Sequence, residues 1–279
     1  MNQLLLCTDL DRTLLPNGPQ PESANARKCF RSLVTKDNVT LVYVTGRHKA
    51  LVKEAIDNYN LPQPDYVIAD VGSTIYKLEG NDWSHWEQWE SEISSQWQGK
   101  RREDLHAILK TNKNLRLQEH SKQNIHKLSY YVPLYVRHEA LIKHVNEILS
   151  SQNIRANLVW SIDESANIGL LDILPANANK QHAITFLMQK LNYSIDETVF
   201  AGDSGNDIAV MVSPIHSVLV ANASDDVKRT AIFEAEKHDE LKSLYIAQGN
   251  YLNMNGNYSA GILEGIVHYF PEVNNWVNC

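Results

Sequence analysis

Short apolar runs that alternate with helical stretches constrain the fold of this chain more than any other feature. The runs are almost continuously apolar, and helical stretches separate most of them. Strands that are buried on both faces have this composition, and they occur in parallel sheets covered by helices. The strand-like runs are LLLCTD (4–9), VTLVYVTG (39–46), PDYVIADVG (64–72), ETVFAGD (197–203) and HSVLVANA (216–223). We therefore predict an α/β fold with a Rossmann-like parallel-sheet core.

The middle of the chain has a different pattern. DWSHWEQWESEISSQW predicts a helix over residues 82–97, and later runs predict strand, helix, strand and strand in that order. This order is typical of a layer built on an antiparallel sheet, and the parallel pattern resumes after Leu174. We therefore predict an α+β cap domain at residues 81–171, inserted into a core domain formed by residues 1–80 and 172–279.

Tryptophans recur through the predicted helix at spacings of three and four. Trp83, Trp86, Trp89, Ile93 and Trp97 would share one helical face. Stacking on a sugar is one interpretation of these indoles. Regular periodicity favours the other, a buried stripe that fixes the insertion to its own sheet.

Composition excludes several classes of protein. The net charge of −7 argues against a broad nucleic-acid-binding face. The apolar stretch at the amino terminus is too short for a signal peptide or a membrane span. The cysteines are odd in number and widely scattered, at Cys7, Cys29 and Cys279. We expect neither a disulfide framework nor a zinc site, and we expect a reducing cytoplasm as the location.

Polar residues stand where the predicted strands end. Asp9 and Asp11 close the first run, Thr45 the second and Asp203 the fourth. The carboxyl ends of parallel strands meet at one edge of a sheet, where ligands bind in α/β folds. Each residue also has an ordinary interpretation: Asp11 in a turn, Thr45 near a helix N-cap, and Lys180 as a solvated lysine at a helix start. Their joint occurrence favours function.

Four motifs together resemble those of the haloacid dehalogenase superfamily of phosphotransferases. They are DLDRT (9–13), VTGR (44–47), Lys180 and GDSGND (202–207), in that order. The large insertion before the lysine resembles the larger type of cap found in sugar-phosphate phosphatases. Looser segments resemble sucrose-6-phosphate phosphatase and related disaccharide-phosphate phosphatases. These are LPQPDYVIADVGSTIY (61–76), HKLSYYV (126–132), LDILPANANK (171–180) and SAGILEGIVHYF (259–270).

The resemblance implies phosphoryl transfer through an aspartyl-phosphate. Asp9 would be the nucleophile, since a carboxylate is already anionic at neutral pH. Asp11 would protonate the departing oxygen and later deprotonate water, which requires a pKa near the working pH. Thr45 and Lys180 would bind the transferring phosphoryl oxygens, and the lysine would offset the negative charge of the site.

The resemblance also implies Mg²⁺ as the cofactor. A hard cation suits an acidic site that must also accept phosphate oxygens. The Asp9 side chain, the backbone carbonyl of Asp11 and the Asp203 side chain would be its ligands. Asp207 or Asn206 would support them from behind.

Substrate selectivity should come from polar residues near the motifs and in the cap. Lys127 resembles the cap lysine of the family that reaches the sugar phosphate, although an exposed lysine on a strand edge is an equal alternative. Arg12 departs from the family, which often has a small residue there. We expect Arg12 to point away from the metal, and the alternative is contact with the substrate or an approaching cap. The candidate substrate-binding residues are Thr45, Gly46, Arg47, Ser73, Lys127, Asn177 or Asn179, and Asn206.

These observations predict a cytoplasmic, Mg²⁺-dependent phosphatase whose substrate is a sugar phosphate, with sucrose 6-phosphate as the first candidate. The alternatives are a phosphatase for mannosylfructose phosphate, glucosylglycerate phosphate or another compatible-solute phosphate, and a sugar phosphomutase. A catalytically silent module that binds a sugar phosphate or a synthase is disfavoured, since the nucleophile is present. A sugar-phosphate synthase is a conceivable partner, and neither nucleic acid nor membrane is expected.

Overall fold

The computed structural model describes residues 3–80, 82–163, 166–277 and 279. The strands form two separate sheets. In chain order they are β1 (Leu4–Thr8), β2 (Val39–Val44), β3 (Tyr66–Ala69), β4 (Thr74–Glu79), β5 (Asp82–His85), β6 (Arg116–Leu117), β7 (Leu128–Val132), β8 (Ala156–Asp163), β9 (Ile168–Pro175), β10 (Thr198–Gly202), β11 (His216–Leu219) and β12 (Leu244–Ile246).

Helices connect and cover these strands. In chain order they are α1 (Ala26–Val34), α2 (Lys49–Tyr59), α3 (Glu87–Ser94), α4 (Arg102–Leu109), α5 (His138–Ser151), α6 (Lys180–Leu191), α7 (Ile208–Met211), α8 (Asp225–Lys237) and α9 (Ser259–Tyr269). Short 3-10 turns follow two of the strands that lead to the candidate site, at Asp70–Gly72 after β3 and at Gly205–Asp207 after β10.

The larger sheet has the strand order β12-β11-β10-β1-β2-β3-β4-β5 among the residues described. Its strands run parallel from β12 to β3, and β4 and β5 add an antiparallel edge. The predicted α/β fold with a parallel core is confirmed. The five predicted runs became β1, β2, β3, β10 and β11, whereas the short strands β4, β5 and β12 were not predicted.

The central strand β1 explains why its sequence is continuously apolar. Leu4 and Leu6 face a cluster on one side of the sheet, and Leu5 and Cys7 face a second cluster on the other. Successive side chains of a strand point to opposite faces, so a strand covered on both faces needs apolar residues at every position. Helices therefore cover both faces, and only the ends of the strands are open to a ligand.

The smaller sheet is antiparallel, with the order β6-β7-β9-β8. It has its own core, to which α4 and α5 contribute Leu105 and Val145. Two strands cross the boundaries predicted for the cap: β5 pairs with the larger sheet, and β9 in the smaller sheet extends to Pro175. The division at residues 81–171 stays a prediction.

The tryptophan stripe differs from its prediction. Residues 82–85 form β5 rather than the start of a helix, because all four of them pair with residues 76–79 of β4. Trp86 and Trp89 lie against Phe186 of α6, with ring centroids 5.6 and 5.2 Å apart. They therefore fix this segment to the larger sheet and not to its own sheet. Trp97 alone lies in the core of the smaller sheet, as predicted.

The cysteines also differ from their prediction. The Sγ atoms of Cys29 and Cys279 are bonded, with Cα atoms 4.6 Å apart, so the expected absence of a disulfide is wrong. Widely separated cysteines carry no spacing signal, because the fold alone decides which of them meet. Cys7 is free and buried in the sheet, as expected for a small apolar residue. In the described part of the chain, every helix is too short or too polar to cross a membrane.

Candidate active site

The candidate site lies at the carboxyl edge of the larger sheet. Asp9 follows β1, and its N–H donates to the Ala201 carbonyl oxygen of β10 over 2.8 Å. Thr45 follows β2, and its N–H donates to the Ile68 carbonyl oxygen of β3 over 2.8 Å. These bonds continue the sheet pairing beyond the strands. The sheet pairing therefore holds the backbone of these two polar residues at the carboxyl edge of the larger sheet.

Lys180 is the buried cation of the site. It is the first residue of α6, and its Nζ donates to Asp9 Oδ1 over 3.0 Å, to Asp207 Oδ1 over 2.7 Å and to Asn206 Oδ1 over 3.3 Å. Burial opposes the charge on Lys180, but Asp207 and Asp9 outweigh it and raise its pKa. Lys180 is therefore a fixed positive charge beside Asp9, and the solvated alternative is wrong.

The GDSGND loop holds Asp207 under the lysine. Asp207 Oδ2 accepts from the N–H groups of Asp203 and Ser204 and from the Ser204 hydroxyl, over 3.2, 3.1 and 3.0 Å. Gly202 leaves room for this carboxylate, because a Cβ there would lie 2.6 Å from Asp207 Oδ2. Asn206 accepts from the Ser204 hydroxyl as well as from Lys180. The loop is thus a scaffold for two carboxylates and a lysine.

Three carboxylates meet at this edge. Oxygens of Asp9, Asp203 and Asp207 lie within 4.8 Å of one another, and all three residues are buried. Burial raises the pKa of Asp9 to about 8, with Lys180 opposing the shift and Asp207 adding to it. Burial and then Asp207 raise the pKa of Asp203 to about 6. A divalent cation would relieve this crowding, so the donor set fits the predicted metal.

The Asp11 carboxylate is not part of the group formed by Asp9, Asp203 and Asp207, although residues two apart in a strand share a face. A turn follows β1, and the Asp11 carboxylate forms a two-bond pair with Arg47, from Nε over 2.8 Å and from Nη2 over 2.6 Å. Asn17 donates to it as well. Burial would raise the pKa of Asp11, but Arg47 outweighs burial and lowers it. The expected pKa near the working pH is therefore wrong for this arrangement, in which Asp11 is ionised.

Arg12 points towards the site. Its Nε lies 3.6 Å from Asp203 Oδ2, and 44% of its side chain is exposed. The favoured expectation that Arg12 points away from the metal site is therefore wrong. On the other side of Asp203, the Thr13 hydroxyl donates to Oδ1 over 3.1 Å. The last two residues of the DLDRT motif thus contact Asp203, which follows β10.

A second buried lysine lies where the two sheets meet. Lys127 precedes β7, and its Nζ lies 3.5 Å from Asp70 Oδ1 and 3.7 Å from Asp172 Oδ2. Only 6% of Lys127 is exposed, so the alternative of a solvated lysine on a strand edge is wrong. Asp70 comes from the larger sheet and Asp172 from β9 of the smaller one. Lys127 therefore bridges the two parts of the molecule.

Ser73 and Asn179 have structural partners at the same junction. The Asn124 amide donates to the Ser73 hydroxyl over 3.1 Å, which joins the smaller sheet to the larger one. Asn179 Oδ1 accepts from the N–H of His182 and caps α6. Gly72, with φ +95°, lets the two segments meet, because a Cβ there would lie 2.5 Å from the Asn179 carbonyl carbon. Roles of Ser73 and Asn179 in substrate binding stay predictions.

The remaining candidates occupy different positions. Gly46 is exposed on the loop between Thr45 and Arg47, and the Arg47 N–H donates to the Thr45 hydroxyl over 3.1 Å. Asn177 precedes α6 and donates to the Glu92 carbonyl oxygen of α3 over 3.4 Å. The structure therefore places Arg47 beside both Thr45 and Asp11, whereas Asn177 contacts α3.

Comparison with known proteins assigns the family. Residues 2–270 match the family described as sucrose-6F-phosphate phosphohydrolase. The chain belongs to this family. It is also 48% identical, over 99% of its length and 74% of the relative's, to a protein of Nitrosococcus oceani known only by its class, a HAD-like hydrolase. The family resemblance to haloacid dehalogenase phosphatases is thereby confirmed, and the protein is a phosphoric monoester hydrolase.

More distant relatives of the family carry specific names. Sucrose-phosphatase 1 of Nicotiana tabacum is 27% identical over 96% of the chain, which spans only 59% of the tobacco protein. Mannosylfructose-phosphate phosphatase of Agrobacterium fabrum is 26% identical over 95% of the chain and 96% of its own length. The crystal structure of the Synechocystis sucrose-phosphatase with sucrose and phosphate superposes with a TM-score of 0.73, at 28% identity over 96% and 98% of the two chains.

Sequence reasoning missed several residues of this phosphatase site. Asp70 was given no role and Asp172 was not singled out, although each interrupts an apolar run, and a charge within such a run is a signal for a buried ion pair. Thr13 was quoted within DLDRT without a role. Asn17 left no signal, because its contact with Asp11 depends on the turn that follows β1. The missed residues are those whose partners lie far away in the chain or across a turn.

Proposed function

We propose that this protein hydrolyses a sugar phosphate, sucrose 6-phosphate first, through an aspartyl-phosphate on Asp9 and with Mg²⁺. The observation that supports it most directly is the buried cluster in which Lys180 lies between Asp9 and Asp207. A carboxylate that faces a fixed cation at a strand end can attack phosphorus while the cation offsets the charge of the phosphoryl group. The family membership supports the same reaction.

The protein's own residues divide the reaction between them. Asp9 Oδ2 is the oxygen free for attack, since Oδ1 accepts from Lys180. Lys180 and the Thr45 hydroxyl bind phosphoryl oxygens as charge develops on them. Asp11 serves as the acid and base, which requires its carboxylate to leave Arg47 and turn towards the leaving oxygen. Arg47 thus holds Asp11 away from Asp9 until the sugar phosphate enters.

Asp9 and Asp203 would hold the cation, together with the backbone carbonyl of Asp11. Bound there, Mg²⁺ supplies positive charge that orients the phosphate and lets two buried carboxylates ionise together. Asp207 would hold these groups in place without binding the cation itself, because both of its oxygens already accept from Lys180 or the GDSGND loop. This donor set consists of oxygen atoms only, which suits Mg²⁺.

Lys127 supports a sugar-binding role for the junction between the sheets. Its Nζ donates one long hydrogen bond, to Asp70 over 3.5 Å, and lies 3.7 Å from Asp172, so it can also donate to a sugar hydroxyl or a phosphate. Asp70 and Asp172 offer acceptors for the same hydroxyls. The role of Lys127 rests on this proximity and on the family resemblance.

A phosphate-release screen tests the proposed function. The purified protein is incubated with sucrose 6-phosphate, mannosylfructose phosphate, glucosylglycerate phosphate, glucose 6-phosphate and a sugar bisphosphate, each with Mg²⁺ or with a chelator. We expect stoichiometric phosphate from sucrose 6-phosphate with Mg²⁺ alone. Equal rates on all small monophosphates would contradict the disaccharide assignment. Conversion of glucose 6-phosphate to an isomeric monophosphate, without stoichiometric free phosphate from the bisphosphate, would indicate a mutase.

Mannosylfructose phosphate is the second candidate substrate. The Agrobacterium mannosylfructose-phosphate phosphatase matches over nearly all of both chains, whereas the tobacco sucrose-phosphatase extends well beyond the match. Both disaccharides contain a fructose unit, so the first glycosyl unit must distinguish them. A higher kcat/KM for mannosylfructose phosphate than for sucrose 6-phosphate in the same screen would reverse their order.

A further inference from the structure

Arg12 adopts a backbone conformation that its side chain does not favour. Its φ is +56°, in the left-handed region where glycine and asparagine are most at ease. Two hydrogen bonds hold it there: its N–H donates to Asn17 Oδ1 over 2.8 Å, and its carbonyl oxygen accepts from Asn222 Nδ2 over 2.6 Å. Glycine or asparagine would adopt this conformation more easily, so the presence of a long cationic side chain at this position needs an explanation.

The charges around the site supply that reason. Lys180 contacts Asp9 and Asp207, but no contact joins it to Asp203. Among the described residues, Arg12 forms the ion pair with Asp203, with its Nε 3.6 Å from Oδ2. Asp203 is almost fully buried, whereas nearly half of the Arg12 side chain is exposed. Arg12 therefore reaches the third carboxylate from the solvent side, where a cation from solution would also arrive.

We propose that Arg12 competes with the divalent cation for Asp203 and weakens the binding of that cation. This role rests on the metal dependence in the proposed function. A guanidinium this close to a metal-binding carboxylate repels a divalent cation and shares its ligand. The two backbone hydrogen bonds fix the start of the Arg12 side chain, so only its outer part can swing away. The dissociation constant for the metal is then higher than it would be for the three carboxylates without Arg12.

Titration calorimetry with MgCl₂ and MnCl₂, in the absence of substrate, tests this role by direct binding. Arg12→Asn removes the charge and keeps a residue that tolerates the left-handed backbone. We expect it to bind either cation about tenfold more tightly than the natural protein. Arg12→Lys keeps the charge, and its affinity should stay within about threefold of the natural value. The gap between Arg12→Asn and the natural protein should narrow in 0.5 M KCl, where exposed charges are screened.

Gln98→Asn is the matched control for the backbone. Gln98 is exposed, has φ +54° and lies in the part of the chain that builds the smaller sheet, so its replacement relieves the same conformation without a change of charge. Its cation affinity should equal that of the natural protein. Equal or weaker binding by Arg12→Asn, while the natural protein binds the cation, would refute the role of Arg12 and leave the proposed function standing. Binding by neither protein would overturn both.

Discussion

The described part of the molecule contains two buried lysines, each close to two aspartates, and the two lysines differ in the lengths of these contacts. Lys180 lies 3.0 and 2.7 Å from its carboxylates, at the carboxyl edge of the larger sheet. Lys127 lies 3.5 and 3.7 Å from its own, at the junction of the two sheets. Lys180 forms short charge-assisted hydrogen bonds with its two aspartates, whereas the longer contacts of Lys127 leave it able to donate to a ligand as well.

The difference separates chemistry from selectivity. The carboxylates around Lys180, Asp9 and Asp207, follow β1 and β10, which are neighbours in the larger sheet, so that sheet sets their spacing. The groups around Lys127 come from both sheets, so their spacing changes whenever the sheets move relative to each other. We therefore expect substitutions near Lys180 to affect turnover and substitutions near Lys127 to affect substrate affinity.

Asp9→Asn should have the largest effect on activity. An amide oxygen cannot form the aspartyl-phosphate, and turnover should fall by about 10⁴-fold or more. Phosphate release under saturating sugar phosphate measures it, with circular dichroism to verify folding. Retained metal-dependent turnover would remove Asp9 from the role of nucleophile.

Lys180→Met should reduce both turnover and stability. It leaves Asp9 and Asp207 buried without their cation, which should lower the free energy of unfolding by about 3 kcal/mol. Loss of the charge beside the phosphoryl group should lower kcat by roughly 10²-fold or more. Urea unfolding and steady-state kinetics measure the two effects. A normal kcat would show that the short contacts of Lys180 are purely structural.

Gly72→Ala tests the joint between the two regions. The added Cβ would lie 2.5 Å from the Asn179 backbone, and φ is +95°, so we expect a loss of about 2–4 kcal/mol in the free energy of unfolding. Gly99→Ala is the matched control, since Gly99 also has a positive φ but has no atom within 4 Å of the added Cβ. Its loss should be about 1 kcal/mol. Equal losses would mean that backbone conformation, not contact, decides both.

Lys127→Met should raise KM for the sugar phosphate by about tenfold with little change in kcat. The methionine keeps the apolar stem of the side chain and removes its donors. Lys113→Met, at an exposed position of the same region, should leave KM unchanged. If kcat falls and KM does not, Lys127 acts on the reaction instead of on binding.

Stability should depend on pH through the crowded carboxylates. The pKa of Asp9 is raised to about 8 and that of Asp203 to about 6, so the folded protein binds more protons than the unfolded chain between pH 4 and 8. The free energy of unfolding should therefore fall as the pH rises through this window in a chelator. Urea unfolding at pH 5 and pH 8 measures it. Asp203→Asn should flatten the slope, and a rise in stability would contradict the crowding.

The sequence predicted the parallel core well, because strands buried on both faces leave an apolar signature that does not depend on distant residues. Asp9 and Asp203 lie close together, as the sequence led us to expect, since the carboxyl ends of parallel strands share an edge. The sequence failed for residues whose position depends on tertiary contacts. Asp11 turned towards Arg47 because the chain turns after β1, and residues 82–85 became a strand because β4 offers them an edge.

The cap tryptophans and the cysteines show the same limit. Spacings of three and four identified a buried stripe but could not say which surface covers it, since α6 is distant in the chain from Trp89. Cys29 and Cys279 meet only because the fold returns the end of the described chain to α1. Local sequence patterns predict whether a segment is a helix or a strand and which of its residues are buried. The pairing between elements depends on the whole structure.

Strand β9 connects the two lysine clusters over a very short distance along the chain. Asp172 beside Lys127 lies within β9, and only four residues, 176–179, separate the end of that strand at Pro175 from Lys180. An engineer who exchanges the region of the smaller sheet for that of a relative should therefore keep the length of this connector, since an added residue would displace the start of α6. Substitutions that change selectivity can be introduced before β9, whereas the connector at residues 176–179 tolerates little change in length.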